Sequence, residues 1–140
     1  MTARGARSII PTKERPLMAR ILVVEDDDNL REYFRFVLEN SGHQVSAVGD
    51  GQAGLNACAA EPPDLVILDV MIPEVNGYEV CHRIKSDAKT QKAKVLMVTA
   101  KTFAADRLEA KNAGADGFLA KPVAPLDLLE TVKTLLAPAP

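Results

Sequence analysis

The apolar and polar residues of this chain change their period repeatedly, from a strand-like to a helix-like pattern and back. Continuous apolar runs, which are typical of buried strands, occupy residues 21–24 and 65–68. After the first run, Leu30, Phe34 and Leu38 recur at helical spacing instead. The pattern therefore predicts an alternation of β-strands and α-helices that begins near residue 20.

Five β–α units follow one another along the chain. The predicted strands cover residues 21–24, 44–48, 65–68, 94–98 and 117–120. The predicted helices cover a stretch through Leu30, Phe34, Val37 and Leu38, then residues 51–60, 77–85 and about 104–113, and last a stretch through Leu126, Leu129, Val132 and Leu136. Such a succession favours an α/β fold with a doubly wound, five-stranded parallel sheet in the flavodoxin-like order 2-1-3-4-5.

The domain boundaries follow from where this alternation begins and ends. Residues 1–18 hold two prolines and no sustained periodicity, so we expect a flexible N-terminal arm, with Met18 as an alternative translation start. Residues 19–137 form the predicted domain, and residues 138–140 a C-terminal tail. The arm has no apolar signal-peptide core, and no stretch of the chain approaches the roughly 18 apolar residues of a membrane span. The sequence predicts a cytoplasmic protein without membrane contact.

Composition and charge narrow the classes of partner. The chain is 47% hydrophobic and 26% charged, which is typical of a globular rather than a disordered protein. The first twenty residues carry a net charge of +4, and subtracting it from the total of −2 leaves −6 for the rest. An acidic body with few aromatic residues argues against direct nucleic-acid binding. Cys58 and Cys81 have no metal-binding spacing and are predicted to be reduced packing residues.

Carboxylates follow two of the predicted buried strands. Glu25 and Asp26 come after the first strand, and Asp69 comes after the third. These strands are neighbours in the order 2-1-3-4-5, so their carboxyl ends would bring the three acids into one crevice. Clustered carboxylates repel one another, and a divalent cation relieves the repulsion; oxygen ligands suit Mg²⁺, with Mn²⁺ as the alternative. Asp69 is then a candidate nucleophile for phosphoryl transfer.

Two further residues lie where they would bind a phosphoryl group. Thr99 ends the fourth strand, where its hydroxyl can donate to a phosphoryl oxygen, and Lys121 brings an ammonium group to the same edge of the sheet. Read alone, each of them is equally well explained as an ordinary strand or surface residue. Asp27 and Asp28 are explained by helix capping and a favourable position at a helix N-terminus.

Four motifs together resemble the receiver domain of bacterial two-component response regulators. They are the acid pair after Ile-Leu-Val-Val, the segment Leu-Asp-Val-Met-Ile-Pro-Glu-Val-Asn-Gly around Asp69, Val-Thr-Ala around Thr99, and Phe-Leu-Ala-Lys-Pro around Lys121. Order, spacing and predicted context agree over about residues 19–137. The nearest type is the stand-alone regulator that resembles chemotaxis regulators.

The resemblance implies a role for each of these residues. Asp69 would be the phosphoacceptor, and Thr99 and Lys121 would contact the phosphoryl group. Phe118 falls at the family's switch aromatic, which swings inward as Thr99 moves. The bond between Lys121 and Pro122 is expected to be cis.

The resemblance also implies a metal site and partners. Asp26 and Asp69 would bind Mg²⁺, with Glu25 acting largely through water and Met71 through its backbone carbonyl. A sensor histidine kinase or a histidine phosphotransfer protein would phosphorylate Asp69. Phosphorylation would shift the face formed by the fourth helix, the fifth strand and the fifth helix, and so control binding of a downstream protein.

The expected assembly follows from the same resemblance. The chain stops at Pro140 with no output domain, so we expect a stand-alone regulator or a piece cut from a longer protein. We expect it to be a monomer, or a weak dimer that depends on phosphorylation.

Three other functions compete with a phosphoryl-accepting switch. A phosphatase with a nucleophilic Asp69 would need a second acid two residues later, and Met71 stands there, so we expect no enzyme. A flavodoxin-like cofactor binder would need a Ser-, Thr- or Gly-rich loop after the first strand, where this chain has acids instead. A docking module that works without phosphorylation is the third alternative, and the complete acidic site disfavours it.

Overall fold

The computed structural model of the chain describes residues 18–138. This part contains the strands β1 (Arg20–Val24), β2 (Gln44–Val48), β3 (Leu65–Leu68), β4 (Lys94–Thr99) and β5 (Gly117–Ala120). The helices between and after them are α1 (Asp28–Asn40), α2 (Gly51–Ala60), α3 (Gly77–Ser86), α4 (Ala104–Ala113) and α5 (Pro125–Leu136). All strand pairs are parallel and the order is β2-β1-β3-β4-β5, which confirms the predicted doubly wound α/β fold.

The predicted termini fall largely outside this description. Of the expected flexible arm over residues 1–18 only Met18 is described, and of the expected tail over residues 138–140 only Pro138 is. Among the helices of residues 18–138, none has the length and apolar character needed to cross a membrane.

Element boundaries agree with the sequence pattern to within one or two residues. The difference that matters most for the site is at β4, which runs one residue further than the predicted strand over residues 94–98 and includes Thr99. Thr99 still pairs with Ala120 of β5, so the ladder holds its backbone in place. The position of the Thr99 side chain is therefore set by the sheet rather than by a loop.

The sheet separates two apolar layers. In β1, Ile21 and Val23 pack in a cluster with α1 and α5, whereas Leu22 and Val24 pack in a second cluster with α2, α3 and α4. The same alternation holds in β3 and β4. Because helices cover both faces, the middle of each central strand is apolar on both sides, which is why the sequence shows continuous runs there rather than an alternating pattern.

Short side chains and a glycine fix several helix ends. Asp27 is the N-cap of α1 and accepts a hydrogen bond from the Leu30 backbone N–H at 3.0 Å, which confirms the capping interpretation of this acid. Asp50 and Asn76 cap α2 and α3 in the same way. Gly114 ends α4 in the left-handed region with φ of 102°, a conformation that glycine adopts without steric cost.

The two cysteines are free and buried in the helical layers, as predicted. Cys58 lies on α2 and Cys81 on α3, both within the cluster on that side of the sheet. Burial raises the pKa of each thiol to about 11. Both therefore stay protonated at neutral pH and serve as packing residues.

His43 makes the stability of the fold depend on pH. Its Nδ1 accepts a hydrogen bond from the Ala19 backbone N–H at 3.1 Å, and burial lowers its pKa from the usual 6.5. The unfolded chain therefore binds a proton on His43 at a higher pH than the folded chain does, so the free energy of unfolding should fall as the pH drops below about 6.5. Denaturant titrations at about pH 7.5 and about pH 5.5 measure this fall.

Matched histidine variants separate this contribution from the rest of the acid titration. His43→Gln should show a smaller loss of stability between the two pH values than the wild type. The exposed His82 on α3 provides the control, because His82→Gln should keep the wild-type loss. Equal losses in the wild type and His43→Gln would contradict the role given to His43.

Candidate functional site

The register of β1 and β3 places two acids side by side at the carboxyl edge of the sheet. Val24 pairs with Leu68, so the next residues of the two strands, Glu25 and Asp69, are neighbours. The Asp69 backbone N–H donates to the Val24 carbonyl at 3.3 Å, which continues the ladder by one bond. Glu25 is 2% exposed and Asp69 is 7% exposed, so both carboxylates lie in a largely desolvated crevice.

Lys121 joins these two acids. Its Nζ lies 2.9 Å from Glu25 Oε1 and 2.6 Å from Asp69 Oδ2. The lysine follows β5 directly, and its backbone N–H donates to the Thr99 carbonyl at 2.9 Å. The Lys121–Pro122 peptide bond is cis, as the sequence resemblance implied. The ends of β1, β3, β4 and β5 thus meet at one point.

Burial and charge oppose each other in this cluster. Burial raises the pKa of Glu25 above its usual range, against the stabilising hydrogen bonds from Lys121 and from the Asp27 backbone N–H. Burial also disfavours the ammonium form of Lys121, but its hydrogen bonds to Asp69 and Glu25 outweigh burial and raise the pKa of Lys121. A charged lysine is therefore the cation that allows two acids to be buried together.

Thr99 and Phe118 lie beside this cluster on one face of the sheet. Thr99 is 1% exposed, and its Oγ1 accepts a hydrogen bond from the Lys101 backbone N–H at 3.2 Å. Phe118 pairs with Met97, two residues before Thr99. Its ring packs against the apolar cluster that lies between the sheet and the helices α2, α3 and α4. The two residues are thus diagonal neighbours on adjacent parallel strands.

Asp26 and Met71 lie at the rim rather than in the crevice. Both are exposed, and together with Asn76, Tyr78 and Lys101 they line an open cleft next to Asp69. The Met71 backbone N–H donates to Asp69 Oδ1 at 3.3 Å, which orients that carboxylate. The structure therefore brings Lys121 into direct contact with Glu25 and Asp69. Asp26 does not share this contact and lies on the wall of the cleft.

The donor groups fit a hard divalent cation in type. Within residues 18–138 no three acidic, histidine or cysteine side chains converge closely enough to hold a metal, and Lys121 pairs with both buried carboxylates. The predicted ligand groups, three carboxylates and one backbone carbonyl, nevertheless offer oxygen atoms, which Mg²⁺ prefers. The metal-ligand set therefore stays a prediction: Glu25, Asp26, Asp69 and the Met71 carbonyl.

The loop that follows Asp69 (residues 69–76, called here the Asp69 loop) is tied closely to α3. The Gly77 backbone N–H donates to the Val70 carbonyl at 2.9 Å. A Cβ atom at Gly77 would lie 2.2 Å from the Asp69 carbonyl oxygen, so only glycine permits this approach. Glu74 has φ of 73°, a strained conformation for a residue other than glycine. Packing thus defines where the Asp69 backbone runs.

Two contacts of the site were not found by sequence reasoning. Arg31 Nη1 donates to the Glu25 carbonyl at 2.8 Å and so anchors the backbone between the two acids that follow β1. The Arg107 guanidinium lies 4.6 Å from the centre of the Phe118 ring. Neither arginine belongs to a motif; the four-residue spacing of Arg31 from Asp27 on α1 is the signal that could have placed it on the side of the acids.

The sequence of this chain is similar to that of a known family of signalling domains. A family model described as the response regulator receiver domain matches residues 21–133. The DNA-binding response regulator MtrA of Mycolicibacterium smegmatis is 38% identical over 117 residues, which are 84% of this chain and 50% of MtrA. The chain thus spans about half the length of this curated relative.

Solved structures give the same picture of the fold. Chemotaxis protein CheY4 of Vibrio cholerae has a TM-score of 0.81 at 30% identity, covering 86% of this chain and all of CheY4. The receiver domain of a sensor histidine kinase from Pseudomonas aeruginosa has a TM-score of 0.80 at 23% identity, covering 87% of this chain and all of that one. At that identity the likeness concerns the fold alone; that crystal structure holds a magnesium ion in its active site cleft.

The close approach at Gly77 predicts the effect of adding one methyl group there. Gly77→Ala should lower the free energy of unfolding by about 1–3 kcal/mol, because the Asp69 loop must move to admit the Cβ atom. Helix propensity favours alanine by at most about 1 kcal/mol and does not compensate. Gly49→Ala is the control, since a Cβ atom there meets only the Arg31 guanidinium at 3.5 Å. Equal unfolding free energies for both variants, measured by denaturant titration, would count against this packing argument.

Proposed function

Because the chain belongs to the response regulator receiver domain family, we propose that Asp69 accepts a phosphoryl group and holds it as a signal. The observation that carries the proposal is the contact of Lys121 with buried Asp69 and Glu25 at the switch point of the sheet, beside the Thr99 strand end. A surface aspartate at the end of a strand has no need of such a partner. An acid that acts as a nucleophile gains from it, because the ammonium offsets the cost of burying the carboxylate.

The residues present account for each part of a phosphoryl transfer. A carboxylate oxygen of Asp69 attacks phosphorus and forms an oxygen–phosphorus bond, while the bond from phosphorus to the donor breaks and the donor keeps its electron pair. The Lys121 ammonium lies 2.6 Å from Asp69 Oδ2 and would contact a phosphoryl oxygen next to it. The Thr99 hydroxyl would turn from Lys101 to donate to a second one. Positioning and charge neutralisation are what this reaction needs most.

Mg²⁺ would be held by Glu25, Asp26, Asp69 and the Met71 carbonyl. When bound it would neutralise charge on the transferred group. Asp26 is exposed on the wall of the cleft, where it can turn toward the Asp69 side. The oxygen-only donor set supports Mg²⁺, with Mn²⁺ as a substitute.

The donor would be a sensor histidine kinase or a histidine phosphotransfer protein. The cleft beside Asp69 is open to solvent, which suits an incoming imidazole phosphate. Met71 is 66% exposed at the second residue after Asp69, where a phosphatase would carry its acid. A domain without that acid favours storage of the phosphoryl group over turnover, so we propose a signalling switch rather than an enzyme.

The output would be read on the face formed by α4, β5 and α5 (the output face). Phe118 belongs to this face, and the exposed apolar residues Leu108 and Leu126 lie on its two helices. Phosphorylation would shift a pre-existing equilibrium there, so that a downstream protein binds one of the two states better. Exposed apolar area also suits a weak dimer formed upon phosphorylation.

The proposal includes how this domain relates to DNA binding. We expect the domain itself not to contact nucleic acid, because its body is acidic. MtrA is named as a DNA-binding regulator, and this chain matches half of it. DNA binding in a longer protein would then belong to a segment beyond the matched half.

Phosphorylation by a small donor tests the proposal directly. Incubation with Mg²⁺ and acetyl phosphate should add one phosphoryl group that is stable in acid and labile in base, as seen by intact mass. Asp69→Asn should abolish the adduct, and removal of Mg²⁺ with a chelator should suppress it in the wild type.

The matched control is Asp127→Asn, since Asp127 is an exposed aspartate in the first turn of α5. It should be phosphorylated like the wild type. An unmodified wild-type mass in the presence of Mg²⁺, or an adduct that persists in Asp69→Asn, would overturn the proposal.

A further inference from the structure

The first turn of α4 contacts both the Asp69 loop side of the site and the Phe118 ring. α4 is otherwise packed lightly, because Ala110 is its one buried residue, whereas α3 buries Gly77, Val80, Cys81 and Ile84. A helix with little buried area is the element that moves most easily. The few polar contacts of its first turn therefore contribute strongly to fixing the position of α4.

The first of these contacts begins at Tyr78. This residue follows Gly77, whose backbone is fixed against Asp69 and Val70, so the ring has a defined origin next to the phosphoacceptor. The Tyr78 hydroxyl reaches α4 and donates to Asp106, with the carboxylate Oδ1 at 3.4 Å and the carbonyl at 3.5 Å. Tyr78 thus connects the Asp69 loop with the start of α4.

Asp106 is itself held in place from several sides. Its Oδ2 accepts a hydrogen bond from the Phe103 backbone N–H at 3.0 Å, and its Oδ1 lies 3.9 Å from Lys101 Nζ. The next residue, Arg107, covers the Phe118 ring at 4.6 Å from its centre, a distance typical of a cation–π contact. One helical turn therefore links Tyr78 to Phe118.

We propose that Tyr78 and Arg107 are positioning residues that hold α4 and Phe118 in the arrangement of the unphosphorylated domain. The inference rests on the proposed function of Asp69. Both contacts are made in the arrangement in which Lys121 pairs directly with the Asp69 carboxylate. Contacts that favour this state oppose the phosphorylated one, so their removal makes phosphoryl-like ligands bind more tightly.

This connection differs from the one through Thr99. Thr99 would respond to the phosphoryl group from the end of β4, inside the sheet edge. The path from Tyr78 to Arg107 runs outside the sheet, from the start of α3 to the start of α4. It sets how strongly the resting state is favoured rather than how the phosphoryl group is contacted.

The affinity for beryllium fluoride measures this restraint. Beryllium fluoride with Mg²⁺ mimics a phosphoryl group on a carboxylate, and its bound fluorines are visible by ¹⁹F NMR. Tyr78→Phe removes only the hydroxyl, and Arg107→Gln removes the charge at similar length. Each should bind beryllium fluoride about two- to five-fold more tightly than the wild type, which is the effect of losing one weak polar or cation–π contact.

Two control variants match these substitutions. Tyr33→Phe also removes a tyrosine hydroxyl, which donates to the Val123 carbonyl at 3.1 Å away from α4, and should leave the affinity unchanged. Arg107→Lys keeps a cation over the ring and should bind like the wild type. A fluorine label on phenylalanine provides the second readout: without ligand, the Phe118 signal of Tyr78→Phe and Arg107→Gln should move toward its ligand-bound position.

The outcomes separate this inference from the proposed function. A wild type that does not bind beryllium fluoride overturns both. A wild type that binds, with Tyr78→Phe and Arg107→Gln unchanged or weaker and the Phe118 signal unmoved, overturns the restraint alone. Tighter binding in Tyr33→Phe or in Arg107→Lys, equal to that of the test variants, overturns it as well, because general loosening would then explain the result.

Discussion

The contact of the Lys121 ammonium with the buried Glu25 and Asp69 carboxylates is the interaction on which the site depends. Burying two neighbouring carboxylates that are 2% and 7% exposed is costly without a cation close by, and Lys121 lies within 2.9 Å of each. A lysine from a distant part of the chain reaches them because β5 ends where β1 and β3 end. The parallel sheet is therefore the device that brings the three charges together, and the charges in turn hold the strand ends at one edge.

The helices near this contact differ in how tightly they are packed. The backbones of α2 and α3 approach the Asp69 loop so closely that side chains are excluded: Cβ atoms at Gly51 and Gly77 would meet backbone atoms at 1.8 Å and 2.2 Å. α4, which packs beside α3 on the same face of the sheet, buries Ala110 alone and is joined to its neighbours by polar and aromatic contacts. A fixed Asp69 backbone next to a weakly held helix is the combination that the proposed switch needs, because a small change in charge at the site has little packing energy to overcome.

Much of this arrangement could be predicted from the order of residues alone. The apolar run 65–68 and the acid that follows it determine a buried strand and a carboxylate at its end, since a parallel strand covered on both faces must be apolar throughout. Helical spacing, caps such as Asp27 and the C-terminal Gly114 locate the helices, because these are local effects of backbone geometry and hydrogen bonding. The strand order then makes Glu25 and Asp69 neighbours, which the register of β1 and β3 confirms.

Contacts between side chains distant in sequence were decided only by the tertiary structure. The sequence pattern placed Asp26 and Glu25 together in the crevice, whereas the fold buries Glu25 and leaves Asp26 exposed on the cleft wall, since successive residues after a strand point in different directions. The hydrogen bond between Arg31 and the Glu25 carbonyl, the reach of Tyr78 to Asp106 and the position of Arg107 over Phe118 leave no periodic signal either. Local patterns determine which elements form and in what order, but the partner of a long side chain depends on how those elements pack.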